Sequence, residues 1–287
     1  MLAAKALGIP VLLRAESRLD GKERSAFKRA AKRLFFNTVK RLIDGVLPIG
    51  TLNSAYWRHY LGEDVPQFLM PYAVDNHYFQ SRSHEAVAAR DELLRELDLE
   101  ASRPVILFAS KLQNRKRCQD LVEAYLNLPG EGTAPHPYLV IVGDGVERAA
   151  LEQRIKQSGC NGVRFCGFRN QSELPRFFDL ATVFVLPSQD EPWGLIVNEV
   201  MNAGRAVIVS DDVGCQPDLI VDGVEGCVFP VGDVSALTEA LRRVLATPGT
   251  AEAMGERGLK RIQTWSYGED IRGLRQGISA ATRRLSA

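Results

Sequence analysis

Two glutamates, Glu191 and Glu199, stand eight residues apart in the stretch from Leu186 to Ser210. Eight residues is just over two helical turns, so both carboxylates can address one ligand that lies over the start of a helix. The partial positive charge of a helix N-terminus suits a phosphate group. The pair therefore predicts a site for a phosphorylated ligand.

The elements around these glutamates are those of a parallel sheet. An apolar strand, 182–187, leads into a polar turn, and a helix then runs from about Trp193 to Ala203. Gly204 ends the helix, and a second buried strand begins at Ala206. Strand–loop–helix–strand is the unit of a parallel sheet, and such sheets place ligands at the carboxyl ends of their strands. A capped, solvated surface helix is the alternative, and the order of the elements favours the site.

The stretch resembles the retaining glycosyltransferases of family 4, members of the glycosyl transferases group 1 with the GT-B fold. Their pattern reads P-S-x-x-E-P-(F/W)-G-L-x-x-x-E-A-M-x-x-G-x-P-V-I-x-S. The chain departs from it at Val200, Arg205 and Ala206, on the packing side. It matches at eight positions: Ser188, Glu191, Pro192, Gly194, Leu195, Glu199, Met201 and Gly204.

The resemblance implies a role for each residue of this stretch. Glu191 resembles the glutamate that faces the donor sugar, and Glu199 the one that hydrogen-bonds the donor ribose hydroxyls. The backbone amides of Trp193, Gly194 and Leu195 are then expected near the sugar and phosphate. A glycine at 194 permits the close approach of the backbone to the ligand.

A basic loop follows the predicted strand 105–110. The family has G-R-L-x-x-x-K-G at this place, so Lys111 resembles its arginine and Lys116 its lysine. Their implied role is to neutralise the leaving nucleoside diphosphate without a metal. Lysine is a point charge without the bidentate geometry of arginine, and Arg115 can compensate. A solvated basic turn is the alternative.

Two further turns are weaker candidates. Gly143 and Gly145 follow strand 138–142, where a glycine pair fits either a phosphate-binding turn or an ordinary tight turn. Phe168 and Arg169 match the region that frames the nucleotide base in the family, with a structural turn as the alternative.

One candidate lies near the N-terminus. The family often has a histidine or an acidic group near the sugar, just after the strand that matches 9–14. Glu16 is the nearest match and is taken as catalytic, with Arg14 as a contact for phosphate or acceptor. The chain contains no P-loop, dinucleotide fingerprint, Ser/His/Asp pattern or clustered metal ligands. Glu191 and Glu199 resemble hydroxyl binders, which disfavours a glycosidase.

Composition places the chain among ordinary globular proteins, with 45% hydrophobic and 25% charged residues in 287. It has no apolar run long enough to span a membrane and no apolar signal core after Met1. Five scattered cysteines suggest reduced thiols. We therefore expect a cytoplasmic protein, with the inner face of the membrane as a further possibility.

The order of elements predicts the domains. Residues 1–100 form a partial N-terminal, acceptor-side Rossmann-like domain and a linker, with short strands at 9–14, 45–49 and 67–70 and a helix at 84–99. Residues 101–267 form a complete Rossmann-like domain that binds the nucleotide-sugar. By resemblance, the helix at 268–287 packs back on the first domain. The complete domain has six strands with helices between them: 105–110, 138–142, 163–166, 182–187, 206–210 and 226–230.

The predicted fold class is therefore α/β, a GT-B fold of two Rossmann-like domains with the first one incomplete. The N-terminal glycine-rich loop of the family has no counterpart here. We expect that the N-terminal part of the first domain is missing. An internal start within a longer protein, a fragment and a reduced form are the alternatives.

Positive charge is concentrated in residues 1–60, which carry 12 Lys/Arg against 4 Asp/Glu. The predicted helix 22–41 interleaves these cations with Phe and Leu. It is either a domain helix with a solvated basic side or a helix that lies on an anionic membrane surface. Nucleic acid is not expected as a partner, because no aromatic platform or binding module accompanies the charge.

The sequence thus predicts a retaining glycosyltransferase of polysaccharide biosynthesis. It would move a sugar from a nucleotide-sugar to a saccharide or lipid-linked acceptor, with no cofactor and no metal. The alternative is a non-catalytic nucleotide-sugar-binding fragment or module.

Overall fold

The computed structural model describes residues 1–19, 25–128 and 136–283. Lys22 and Arg24 of the predicted basic helix, and residues 284–287 of the predicted C-terminal helix, lie outside this part. The chain forms two compact units. One contains residues 1–74 and the chain from Thr264 onward, and the other contains residues 75–263.

The first unit has a small parallel sheet. Its elements up to residue 74 are α1 (Leu2–Ala6), β1 (Leu12–Leu13), α2 (Ala26–Val39), β2 (Gly45–Val46) and α3 (Thr51–Leu61). β1 pairs with β2, and Gln67 adds an isolated parallel bridge to Val46. Two of the three predicted strands are much shorter than predicted and the third is reduced to this bridge, because proline lacks the N–H that a strand ladder needs. The prolines in or beside them are Pro10, Pro48 and Pro66.

Aromatic packing joins α2 to α3 in this unit. Phe36 is the buried residue of α2 and lies 5.3 Å from the ring of Tyr60 and 6.0 Å from that of Trp57, measured between centroids. The helix begins at Ala26, later than predicted, because the Ser25 side chain caps it by accepting the Lys28 N–H at 3.4 Å.

The second unit is built on one parallel sheet of six strands. In chain order its elements are α4 (Asn76–Ala86), α5 (Arg90–Glu96), β3 (Val105–Ala109), α6 (Cys118–Leu126), β4 (Tyr138–Val142), α7 (Arg148–Ser158), β5 (Val163–Gly167), α8 (Leu174–Leu180), β6 (Val183–Leu186), α9 (Leu195–Asn202), β7 (Ala206–Ser210), α10 (Gln216–Leu219), β8 (Gly226–Phe229), α11 (Val234–Leu245) and α12 (Thr250–Ile262).

The strand order is β5-β4-β3-β6-β7-β8. Every one of these strands lies within one residue of its predicted bounds at either end. β3, β4, β6 and β7 are buried throughout, as expected for a parallel sheet covered on both faces. The order reverses between β3 and β6, which makes this the switch point of the sheet.

The helix predicted at 84–99 is interrupted and starts much earlier. Asp75 caps α4 by accepting the Tyr78 N–H at 2.9 Å, and a 3₁₀ turn at Val87–Ala89 separates α4 from α5. Phe79 of α4 packs on Phe178 of α8 with ring centroids 6.4 Å apart. This segment therefore belongs to the second unit, and the chain divides at residue 74 instead of the predicted residue 100.

The last helix, α13 (Tyr267–Arg283), belongs to the first unit. Gly273, Gly277 and Ala281 form its buried stripe, and Gly277 lies against Leu47 and Leu12 of the same unit. No helix in the described part of the chain is both long and apolar enough to cross a membrane.

Candidate functional site

A cavity of about 490 Å³ opens at the switch point of the second unit, beyond the carboxyl ends of β3 to β6. This is where doubly wound sheets bind their ligands. Its wall includes eight of the residues predicted from the sequence: Lys111, Lys116, Gly143, Phe168, Arg169, Glu191, Gly194 and Leu195.

A second cavity of about 620 Å³ in the same unit is larger but chemically different. It lies near the amino ends of β3 and β6 and contains none of the predicted residues. Arg90 and Arg205 both bind the buried carboxylate of Asp179, at 2.6 and 3.0 Å. Because the residues predicted from the sequence line the smaller cavity, we take that cavity as the candidate site.

The basic loop after β3 places two lysines at the cavity, one buried in an ion pair and the other exposed. Lys116 ends a short 3₁₀ turn, is buried, and donates a hydrogen bond to Glu191. Arg115 lies on the outer side of the same carboxylate, at 3.4 Å. Lys111 is exposed, and no acidic side chain in the described ranges lies within ion-pair distance of it. Lys111 is thus the lysine whose charge is available to an anion in the cavity.

The glycine turn after β4 supports this loop. A Cβ at Gly143 would lie 1.9 Å from the carbonyl oxygen of Ser110, and the Leu112 N–H donates to the carbonyl of Asp144 at 2.9 Å. The turn therefore approaches the basic loop too closely for any side chain at 143. The close packing of this turn on the basic loop accounts for the glycine at 143, which also lines the cavity.

The turn after β6 carries Glu191 and leads into α9. Its backbone includes two residues with positive φ, Asp190 at +52° and Gly194 at +93°. The helix begins at Leu195, two residues later than predicted, because the left-handed Gly194 is its N-cap. Trp193 is buried behind the turn and donates its indole N–H to Asn198 at 2.9 Å. Its side chain is therefore part of the scaffold and not of the cavity wall.

Glu199 is buried on α9 and does not line the cavity itself. Its Oε1 accepts a hydrogen bond from the amide of Gln171 at 3.1 Å. Burial raises the pKa of Glu199 to about 6, and the Gln171 hydrogen bond partly opposes that shift. The Gln171 contact was not foreseen, because it depends on how the loop after β5 folds over α9.

Phe168 and Arg169 occupy the rim of the cavity. Phe168 is 73% exposed, so its ring is open to stacking by a planar group. Arg169 is tied back, since its guanidinium lies 3.3 Å from Glu173 and 3.4 Å from Glu96. Of the two, Phe168 is the one that can meet a nucleotide base.

Glu16 belongs to the first unit and is not among the residues that line this cavity. Its carboxylate accepts a hydrogen bond from the phenol of Tyr72. Burial, followed by this hydrogen bond, raises the pKa of Tyr72 to about 12. Arg14 lies beside them, with its guanidinium 5.0 Å from the centre of the Tyr72 ring and 3.1 Å from Asp270.

The fold and the cavity together define an α/β protein with a doubly wound sheet and a basic site at its switch point. The family model described as "Glycosyl transferases group 1" matches residues 89–261, more than half of the chain. The chain therefore belongs to the glycosyl transferases group 1.

Curated relatives match more than half of the chain. It is 31% identical over 164 residues to the lipopolysaccharide core biosynthesis glycosyltransferase LpsE of Rhizobium meliloti (strain 1021), covering 57% of this chain and 46% of that protein. It is also 31% identical over 178 residues to the alpha-D-kanosaminyltransferase of Streptomyces kanamyceticus, covering 62% and 45%. The chain thus spans about half the length of the curated relatives it matches.

Solved structures cover nearly all of the chain. A sucrose-phosphate synthase from Thermosynechococcus elongatus is 25% identical, with a TM-score of 0.70 over 92% of this chain and 65% of its own. Anabaena Alr3699/HepE, solved in complex with UDP, is 18% identical, with a TM-score of 0.80 over 97% of this chain and 74% of its own. These likenesses confirm the predicted α/β fold of the GT-B type.

Proposed function

We propose that the chain is a retaining glycosyltransferase of family 4 that moves a sugar from a nucleotide-sugar to a saccharide or lipid-linked acceptor in polysaccharide biosynthesis. The observation that carries this proposal is the switch-point cavity, where Lys111, Lys116 and Glu191 meet. Several relatives carry transferase names, and HepE was solved with UDP.

In the proposed reaction the bond between the anomeric carbon and the donor phosphate breaks. The acceptor hydroxyl attacks the anomeric carbon from the same face, and its proton passes to the departing phosphate. Lys111 stabilises the negative charge that develops on the leaving diphosphate. Glu191, held by Lys116, faces the sugar, and Glu199 accepts hydrogen bonds from the ribose hydroxyls.

No metal is required in this proposal, because side-chain cations and the start of α9 supply positive charge at the diphosphate. The exposed ring of Phe168 offers a stacking surface for the base. Glu16 is kept as a proposed catalytic group from the first unit.

A non-catalytic nucleotide-sugar-binding module is the second candidate. The observation in its favour is that every residue of the cavity wall belongs to residues 75–263. Donor binding therefore needs no residue of the first unit in that wall, whereas transfer also needs an acceptor site.

Calorimetry with UDP and GDP, combined with donor hydrolysis and transfer assays, tests both candidates. We expect binding of one nucleoside diphosphate in the micromolar range and turnover of the matching nucleotide-sugar. Binding without turnover would favour the module, and a chain that binds neither diphosphate would contradict both.

We also propose that α2 places the protein at the inner, anionic face of a membrane. Phe27 is 82% exposed and Leu34 is 69% exposed on one stripe of this helix, with Phe35 beside them. Lys28 and Arg33 are exposed on the same helix. Apolar side chains flanked by cations suit the surface of an anionic bilayer, where each cation contributes about 1 kcal/mol.

Flotation with vesicles tests this contact. The chain should bind vesicles with 30% phosphatidylglycerol and not pure phosphatidylcholine, and Phe27→Ser with Leu34→Ser should abolish binding. The matched control is Ile271→Ser with Ile278→Ser, two exposed apolar residues of α13. Equal loss in both double variants would argue against α2 as the contact.

A further inference from the structure

The turn that carries Glu191 is bound along its length by the last residue of β7 and the segment that follows it. The Ser210 hydroxyl donates to the carbonyl of Ser188 at 2.5 Å. The Gly214 N–H donates to the carbonyl of Glu191, and the Cys215 N–H to that of Trp193, both at 2.9 Å. The shape of the catalytic turn is therefore imposed by the neighbouring strand.

The approach of these two segments leaves no room for a side chain at Gly214. A Cβ there would lie 1.9 Å from the carbonyl oxygen of Pro192. The two backbones are thus packed directly against each other, and any movement of the segment after β7 must move the turn.

Asp212 belongs to this segment and acts on the turn through its side chain. Its Oδ2 accepts the N–H of Asp190 at 2.7 Å, and its backbone carbonyl accepts the N–H of Glu191 at 3.3 Å. The N–H groups of two successive residues of the turn therefore both donate to Asp212. A hydrogen bond of an N–H to a carboxylate is stronger than one to a neutral oxygen.

The conformation of Asp190 explains why such an anchor is needed. Its φ of +52° is uncommon for a residue other than glycine and carries a conformational cost. This conformation directs the next residue, Glu191, toward Lys116. An acceptor fixed in front of the Asp190 N–H holds the backbone in this state.

We propose that Asp212 is a positioning residue that holds the Glu191 turn in its reactive shape. Its effect on turnover rests on the proposed function, whereas its effect on the turn does not. The neighbouring Asp211 offers a matched control. Its Oδ1 accepts the N–H of Val231 at 2.9 Å, so it makes a similar bond that does not involve the turn.

Amide hydrogen exchange by mass spectrometry tests the proposal without any substrate. Peptides that contain residues 188–193 should exchange faster in Asp212→Ala and remain protected in Asp212→Asn, whose amide oxygen can accept the same N–H. Asp211→Ala should leave these peptides protected. Wild-type exchange of the turn in Asp212→Ala, or equal loss of protection in Asp211→Ala, would overturn the proposal.

Kinetics then separate positioning from general loss of structure. Asp212→Ala should lower kcat by roughly 100-fold, the scale of a displaced catalytic group. Its affinity for the free nucleoside diphosphate should change little, and Asp212→Asn should recover most of the rate. A wild-type chain without turnover would remove the proposed function, and the exchange experiment would still decide the role of Asp212.

Discussion

Lys116 donates a hydrogen bond from its Nζ to Oε2 of Glu191, and the two residues are only 9% and 8% exposed. Two residues predicted separately from the sequence therefore meet as one buried ion pair at the edge of the cavity. A buried pair is costly to break, because removal of one partner leaves the other charge desolvated and unpaired.

A double-mutant cycle should reveal this coupling. Lys116→Met and Glu191→Gln should each lower the free energy of unfolding by about 3 kcal/mol, and the double variant should lose clearly less than the sum. Urea denaturation measures the three values. Arg115→Met is the control, because its side chain is 46% exposed and its bond to Glu191 should contribute little. Additive losses would contradict the coupling.

Lys111 should affect catalysis and hardly affect stability. It is exposed and lies beside the cavity, without an acidic partner in the described ranges. Lys111→Ala should lower kcat by roughly 100-fold through the loss of charge at the leaving diphosphate. The free energy of unfolding should change by less than about 0.5 kcal/mol.

Lys156→Ala on α7 is the matched control for Lys111, because Lys156 is an exposed lysine of the same unit outside the cavity wall. Initial rates and urea denaturation of both variants provide the comparison. Equal rates in Lys111→Ala and the wild type would remove Lys111 from the proposed mechanism.

The six-stranded sheet was predictable because its central strands are short, continuous apolar runs such as Tyr138–Val142 and Ala206–Ser210. α4 was missed because only Phe79, Ser83 and Ala86 are buried on it, a face too polar to show helical periodicity. The strands of the first unit were predicted to be too long, because an apolar run does not show where hydrogen bonding between neighbouring strands ends.

Residues of the candidate site were predictable where each lies within a short, recognisable motif. Glu191 and Lys116 follow strands at the carboxyl edge of the sheet, and the resemblance marks both. Asp212 was missed because a carboxylate in a loop after a strand cannot be distinguished from a solvated one by sequence. Its partner Asp190 lies 22 positions away and is reached only through the pairing of β6 with β7.

Transfer should not depend on a divalent metal, because lysine side chains are proposed to balance the diphosphate. Treatment with excess EDTA should leave the rate of donor turnover within about twofold of the untreated rate, whereas Lys111→Ala should lose far more. Turnover measured before and after chelation, and again with added Mg²⁺ or Mn²⁺, checks this. A rate abolished by EDTA and restored by either ion would contradict the metal-free proposal.

Glu199 should make both stability and donor binding depend on pH. Burial raises its pKa from 4.5 to about 6, so the folded chain holds this proton more tightly than the unfolded chain. The contribution of Glu199 to stability is therefore greatest below pH 4.5 and is lost as the pH rises through about 6, a decline of about 2 kcal/mol in all. Glu199→Gln should remove this decline, as measured by urea denaturation between pH 4.5 and 7.5.

Donor binding should show the opposite trend, because the ionised carboxylate is the better acceptor for ribose hydroxyls. Affinity for the nucleoside diphosphate should fall by roughly tenfold as the pH drops from 7.5 to 5. Glu199→Gln should bind weakly at every pH, and its remaining slope reports the titration of the diphosphate itself. Gln171→Leu should move the midpoint to higher pH, because the Gln171 hydrogen bond lowers the pKa of Glu199. Identical slopes in wild type and Glu199→Gln would show that Glu199 does not contact the donor.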